Sequence, residues 1–167
     1  LDYSMFFGAT LLDYYEASGD RETLEDLSKC AYRQMEIAGE QFDEKHLMKN
    51  GDGFWGFIDW TDGLNKQAAM QGVYIYCSKK VQKIAEILGD IEKAEELAKE
   101  AEEKTASAKK YLIDEETELF VSGEERQLNY ASQVWMILAG AVSIEEGRAM
   151  LDKLDEPKPE KGMVSPY

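Results

Sequence analysis

Between Asn50 and Leu64 the chain reads Gly51-Asp52-Gly53-Phe54-Trp55-Gly56-Phe57-Ile58-Asp59-Trp60-Thr61-Asp62-Gly63. Four glycines, four aromatics and three aspartates in so short a stretch make a poor helix. Glycine lets the backbone approach a ligand closely. Aromatic faces stack on the apolar faces of sugars, and carboxylates accept their hydroxyl hydrogens. The chemistry on offer is that of a carbohydrate-binding cleft. His46 is the only histidine, which excludes a multi-histidine metal site, and in the polar run Asp43-Glu44-Lys45-His46 it reads as solvated. Cys30 and Cys77 fall within helical patterns without metal-ligand spacing and read as free, partly buried thiols. No Ser-His-Asp or Cys-His arrangement stands out and the glycines form no phosphate-binding loop, so neither a metal nor a cofactor is expected.

The elements that must position this loop are helical. At 167 residues the chain is long enough for one domain with a real core. A formal charge of −15 argues against nucleic acid or an anionic membrane surface as partner. No apolar run has the length of a transmembrane helix and no basic-start signal peptide is present, although a chain opening at Leu1 reads as beginning in mid-domain, which leaves the compartment open. Apolar periodicity predicts helices over Tyr3 to Ala17, Arg21 to Phe42, Leu64 to Leu88, Ile91 to Leu112, Tyr130 to Ala141 and Ile144 to Leu154. The odd helices read as buried and the even ones as half exposed. Ser18-Gly19-Asp20 and Leu88-Gly89-Asp90 repeat one tight turn, with Gly ending one helix and Asp capping the next. Ser143-Ile144-Glu145-Glu146 is a capping-box pattern.

The expected organisation is all-α, as three consecutive helical hairpins. Residues 1–43 form the first hairpin, 44–63 the Gly-aromatic loop and 64–112 the second hairpin. A loop over 113–129, a third hairpin over 130–154 and a tail over 155–167 complete it. In a ring of such hairpins the long loops share one face, at the N-terminal ends of the inner helices, where binding residues are commonly held.

Phe57-Ile58-Asp59-Trp60 entering a helix, the Ile84-Ala85-Glu86-Ile87-Leu88-Gly89-Asp90 turn and the helix from Gln133 to Gly140 carry a resemblance, as does Tyr14-Tyr15-Glu16-Ala17-Ser18-Gly19-Asp20 upstream. In this order they resemble the six-hairpin (α/α-barrel) glycosidases, and most closely the α-L-rhamnosidase family of glycoside hydrolases. The resemblance implies half of an (α/α)6 toroid, belonging to a catalytic domain that hydrolyses terminal rhamnosides without a redox cofactor. Glycoside hydrolysis needs two carboxyl groups flanking the bond. The family's acidic motif with the general acid would lie before Leu1, and the glutamate taken as general base beyond Tyr167. No catalytic residue is therefore assigned, and the chain is expected to be inactive alone.

The resemblance carries Asp59 and Trp60 over as sugar-contacting residues; their alternative is a carboxylate at a helix start and a core tryptophan. Phe54 and Trp55 line the cleft or pack beneath the loop. Tyr130 faces the same cleft in a barrel, with Gln127 just before it; their alternatives are a core tyrosine and an exposed loop residue. Asp62 reads as a helix cap, Glu115, Glu116 and Glu118 as a solvated turn before a strand-like Leu119-Phe120-Val121, and Trp135 and Met136 as core. The expected partner is a rhamnose-containing glycan or glycoside, with self-association through apolar inner helices. Two other readings stand beside it: a related barrel acting on another sugar or uronic acid, and a helical-repeat module that binds proteins. The four aromatics on one connection argue against the last.

Overall fold

The protein was analysed as a computed structural model that describes residues 1–49, 56–59, 61–154 and 159. Its helices are α1 (Asp2–Ser18), α2 (Arg21–Gly39), α3 (Gln67–Leu88), α4 (Ile91–Tyr111), α5 (Tyr130–Leu138) and α6 (Ile144–Lys153). A two-stranded antiparallel ribbon, β1 (Val121–Ser122) and β2 (Gln127–Leu128), precedes α5, with Val121 opposite Leu128. The chain is all-α in three hairpins, and α3 is its centre: it packs on α1 and α2 to one side and on α4 and α5 to the other.

The tight turns form as their residues dictate. Gly19 and Gly89 adopt φ of 70° and 76°, the left-handed conformation that ends a helix. Asp20 then accepts the Thr23 N–H at 3.1 Å, and Asp90 the Lys93 N–H at 3.2 Å. Ser143 and Glu146 form a reciprocal capping box. Arg21 also donates to the Ile87 carbonyl at 3.2 Å, tying the first turn to the end of α3.

Two core clusters result. One gathers Met5, Leu12, Leu24, Met35, Val81 and Leu97 between the first two hairpins. The other gathers Ile75, Leu119, Phe120, Met136 and Met150 around the second and third. α3 feeds both and is buried along most of its length, whereas α1 and α5 keep apolar residues outside: Tyr3 is 68% exposed and Leu138 56%. Among the described residues the expected burial of the odd helices therefore holds fully only for α3, which packs against four other helices.

Several boundaries differ from expectation for local reasons. The second helix stops at Gly39, and Phe42 instead forms an antiparallel bridge with Met48. The third starts at Gln67, where Asn65 Oδ1 accepts the Gln67 N–H at 3.2 Å. Asp62, expected to cap that helix, is an exposed turn residue some distance before it. The fifth ends at Leu138 because Gly140 turns left-handed (φ 62°), and Lys79 from α3 donates to the Ala139 carbonyl at this C-terminus. The thiols are both free but unlike each other: Cys77 is buried, and Cys30, on the outer helix, is exposed rather than partly buried.

Candidate functional site

The candidate site is a cleft of about 410 Å³ between the N-terminal half of α1, the segment 57–59 and one face of α5. Asp2 and Phe6 enter it from α1, Phe57 and Asp59 from the loop, and Val134 and Trp135 from α5. Its size is that of a small-molecule site, and its walls are mostly apolar with a few carboxylates. Trp135 stands against Phe6, with ring centroids 5.4 Å apart and planes tilted by 44°. Tyr76 meets the same indole edge-on at 6.0 Å. These contacts fix the indole from two sides and leave it half-buried at the cleft wall.

Buried amides and charges hold the loop over this cleft. Phe57 N–H donates to Asp2 Oδ1 at 3.1 Å, and Lys66 Nζ donates to the Gly56 carbonyl. Gln127 accepts the Asn65 N–H at 2.7 Å and donates to the Gly63 carbonyl at 2.9 Å. Asn129 donates to the Asn65 carbonyl at 3.2 Å while its Oδ1 caps α5 through the Ser132 N–H. Asn65 donates to Glu125 at 2.6 Å, which holds that carboxyl below its usual range. Gln67 bridges Met48 O and Gly123 N–H, and Gln71 accepts from Met48 and donates to the His46 and Lys104 carbonyls. Gln67, Gln71, Gln127 and Asn129 satisfy backbone groups of irregular segments that no ladder serves, and Asn65 ties its loop to Glu125. Two long connections are thereby fastened to the N-terminal end of α3.

Of the residues singled out for sugar contact, Asp59 is half-buried and lines the cleft. Tyr130 is partly buried against the second core cluster. Phe54, Trp55 and Trp60, with Asp52, lie outside the described residues. Gln127, expected to be exposed, is 7% exposed because both ends of its amide are bonded into the loop. Met136 is core, as expected, and Trp135 packs against the first core cluster while also lining the cleft. A signal for this existed in the sequence. Ala131, Val134, Trp135 and Leu138 follow helical spacing on one side of α5, while Ser132, Gln133 and Met136 are buried on another. With the Ser132, Gln133 and Met136 face turned into the protein, the apolar face is a second surface that α5 has to cover.

Glu115, Glu116 and Glu118 belong to an exposed turn built around Asp114, which accepts from Glu116, from the Thr117 N–H at 3.0 Å and from the Thr117 hydroxyl. His46 is exposed, with Glu103 at 3.9 Å. Among the described residues no group of three or more His, Cys, Asp or Glu could hold a metal ion, and no helix is long and apolar enough to cross a membrane.

No protein-family model matches the chain, and no curated protein matches it. Solved structures do. A rhamnosidase from Klebsiella oxytoca with rhamnose bound superposes with a TM-score of 0.92 at 34% identity, over 97% of this chain and 31% of its own. A GH78 family rhamnosidase of Bacillus sp. GL1 shares the fold, with a TM-score of 0.80 at 19% identity, over 95% of this chain and 18% of its own. The chain thus spans about a third of the first enzyme's length and about a fifth of the second's. With three hairpins, repeated Gly-Asp turns and an aspartate-aromatic cleft between α1 and α5, this chain is rhamnosidase-like over nearly all of its described length.

Proposed function

We propose that the chain forms part of the sugar-binding wall of a glycoside hydrolase domain that cleaves terminal rhamnosides. In this reading Asp59 accepts hydrogen bonds from sugar hydroxyls, and the Trp135 indole packs on the apolar face of the ring. Trp60, Trp55, Phe54 and Tyr130 supply further contacts around them. One observation supports it most: Asp59 and Trp135 line a single cleft in a chain 34% identical to a rhamnosidase solved with rhamnose. In this reading Asp59 holds the sugar rather than cleaving it.

The test is titration of the tryptophan fluorescence with L-rhamnose and with other monosaccharides. A saturable change with L-rhamnose that Asp59→Ala and Trp135→Ala each weaken is expected. A chain whose fluorescence answers to no sugar, or equally to all of them, would remove the rhamnoside reading.

A further inference from the structure

We propose that Asp2 and Lys66 are positioning residues for the sugar-binding rim: together they clamp the peptide unit between Gly56 and Phe57, and so set where Asp59 stands. This rests on the sugar-binding reading of the cleft. The Gly56 carbonyl and the Phe57 N–H are the two polar ends of one planar peptide. Lys66 donates to the first, and Asp2 accepts from the second at 3.1 Å. Both bonds are charge-assisted, the stronger kind, and they pull from opposite sides. A plane held at both polar edges has its orientation fixed, and Asp59 follows only two residues later.

Burial and position set the clamp residues apart, although Asp2 Oδ1 also lies 3.6 Å from the Leu1 ammonium. An acid in the first turn of a helix commonly serves the helix dipole. That role needs no burial, yet Asp2 is 2% exposed and its partner is 55 residues away. Lys66 occupies the N-cap position of α3, where a cation is electrostatically unfavourable and no side-chain cap is made. Its reach to Gly56 explains the placement. At the far end of the arc Gln127 holds Gly63 and Asn65, so Asp59 stands on a segment fastened at both ends.

The test compares Asp2→Ala, Asp2→Asn and Lys66→Met in the full chain, reading the Kd for L-rhamnose and the hydrogen exchange of the Phe57 amide by NMR. Asp2→Ala and Lys66→Met are expected to weaken rhamnose binding about tenfold, as a displaced binding group does. Asp2→Ala also exposes the Phe57 amide to exchange. Asp2→Asn keeps both properties near those of the parent, because its amide oxygen still accepts. The exchange of the Phe57 amide, which donates to Asp2, is the readout that a bulk packing role for Asp2 does not move. Parent-like rhamnose binding by both Asp2→Ala and Lys66→Met overturns the clamp while leaving the sugar reading intact, as does an Asp2→Asn loss equal to that of Asp2→Ala. A parent chain that binds no rhamnose, with its Phe57 amide protected, overturns the sugar reading and the clamp's role with it.

Discussion

Gly72 of α3 faces Trp135 of α5 so closely that a Cβ built on the glycine would lie 2.9 Å from the tryptophan Cβ and 2.8 Å from its carbonyl carbon. The obstacle is backbone and the first side-chain atom, so no rotamer change relieves it. Alanine gains at most about 1 kcal/mol in a helix over glycine, whereas overpacking a close interface costs about 1–3 kcal/mol. The second effect wins. Gly72→Ala is expected to lower the urea midpoint and, by pushing α5 outward, to weaken the rhamnose-dependent change in fluorescence. A substitution that stabilises the chain would show that the α3–α5 approach is looser than described.

Gln133 is fully buried and serves three backbone groups. Its Oε1 accepts the Phe120 N–H at 2.9 Å, and its Nε2 donates to the carbonyls of Phe120 and Asn129. Gln133→Leu keeps the volume and strands those groups in the core. Each unpaired buried group costs about 1–3 kcal/mol, so a loss of about 3 kcal/mol or more is expected. Equilibrium unfolding in urea measures it, with the midpoint falling and the slope unchanged.

These amides also mark the limit of what the residues disclose before folding. Helices and turns are legible because their signals are local: Gly19 and Gly89 end helices, Asp20 and Asp90 begin them, and Leu24, Leu27, Ala31 and Met35 repeat at helical spacing. Asp59, singled out as a carboxylate among glycines and aromatics, lines the cleft, and its contact with sugar is the proposal above. Gln71, Gln127, Gln133 and Asn65 look like ordinary polar residues, since their partners lie on distant segments that only the fold brings near. Asp2 is hidden for the same reason. Trp135 is legible only in part: apolar spacing reports that it packs against the core, not that its other side lines a cleft.

The two thiols should separate chemically. Burial pushes the Cys77 thiol up to about 12, so almost no thiolate exists near neutral pH, and the side chain is inaccessible as well. Cys30 is exposed. A thiol-specific reagent at about pH 8 is expected to modify one thiol quickly and the second only on unfolding. Labelling with mass spectrometry identifies each. Equal rates at the two positions would contradict the packing of α3.

Acid should destabilise the chain through its turns. Thr23 N–H and hydroxyl hold the Asp20 carboxyl below its ordinary 3.8, and those of Thr117 do the same for Asp114. The Ser143 cap lowers Glu146 below 4.5. A carboxyl with a depressed folded-state pKa contributes stability that is present above its unfolded value and lost as pH falls through the folded one. Stability is therefore expected to drop below pH 4.5, and Asp114→Asn to remove its own share of that drop. Urea midpoints at about pH 7 and about pH 3 test the sign. A variant whose acid-dependent loss equals the parent's would show that Asp114 does not sense pH through this turn.

Tyr3 and Leu138 flank the cleft at 68% and 56% exposure, and a second apolar groove of about 290 Å³ runs along Phe7, Leu11, Tyr14 and Leu27 between α1 and α2. Contiguous apolar surface of this kind marks a face that associates. The isolated chain is expected to self-associate, with a sedimentation coefficient that rises with concentration. Leu138→Lys is the informative variant. It removes the apolar end of α5, while a cation at a helix C-terminus is favourable by about 0.3–1 kcal/mol, so the helix itself is not weakened. The variant should sediment more slowly than the parent at equal concentration and melt at the same temperature. If the parent chain sediments as a monomer at every concentration, its apolar helix faces do not drive association, and the exposed side of α5 is stable in water as it stands.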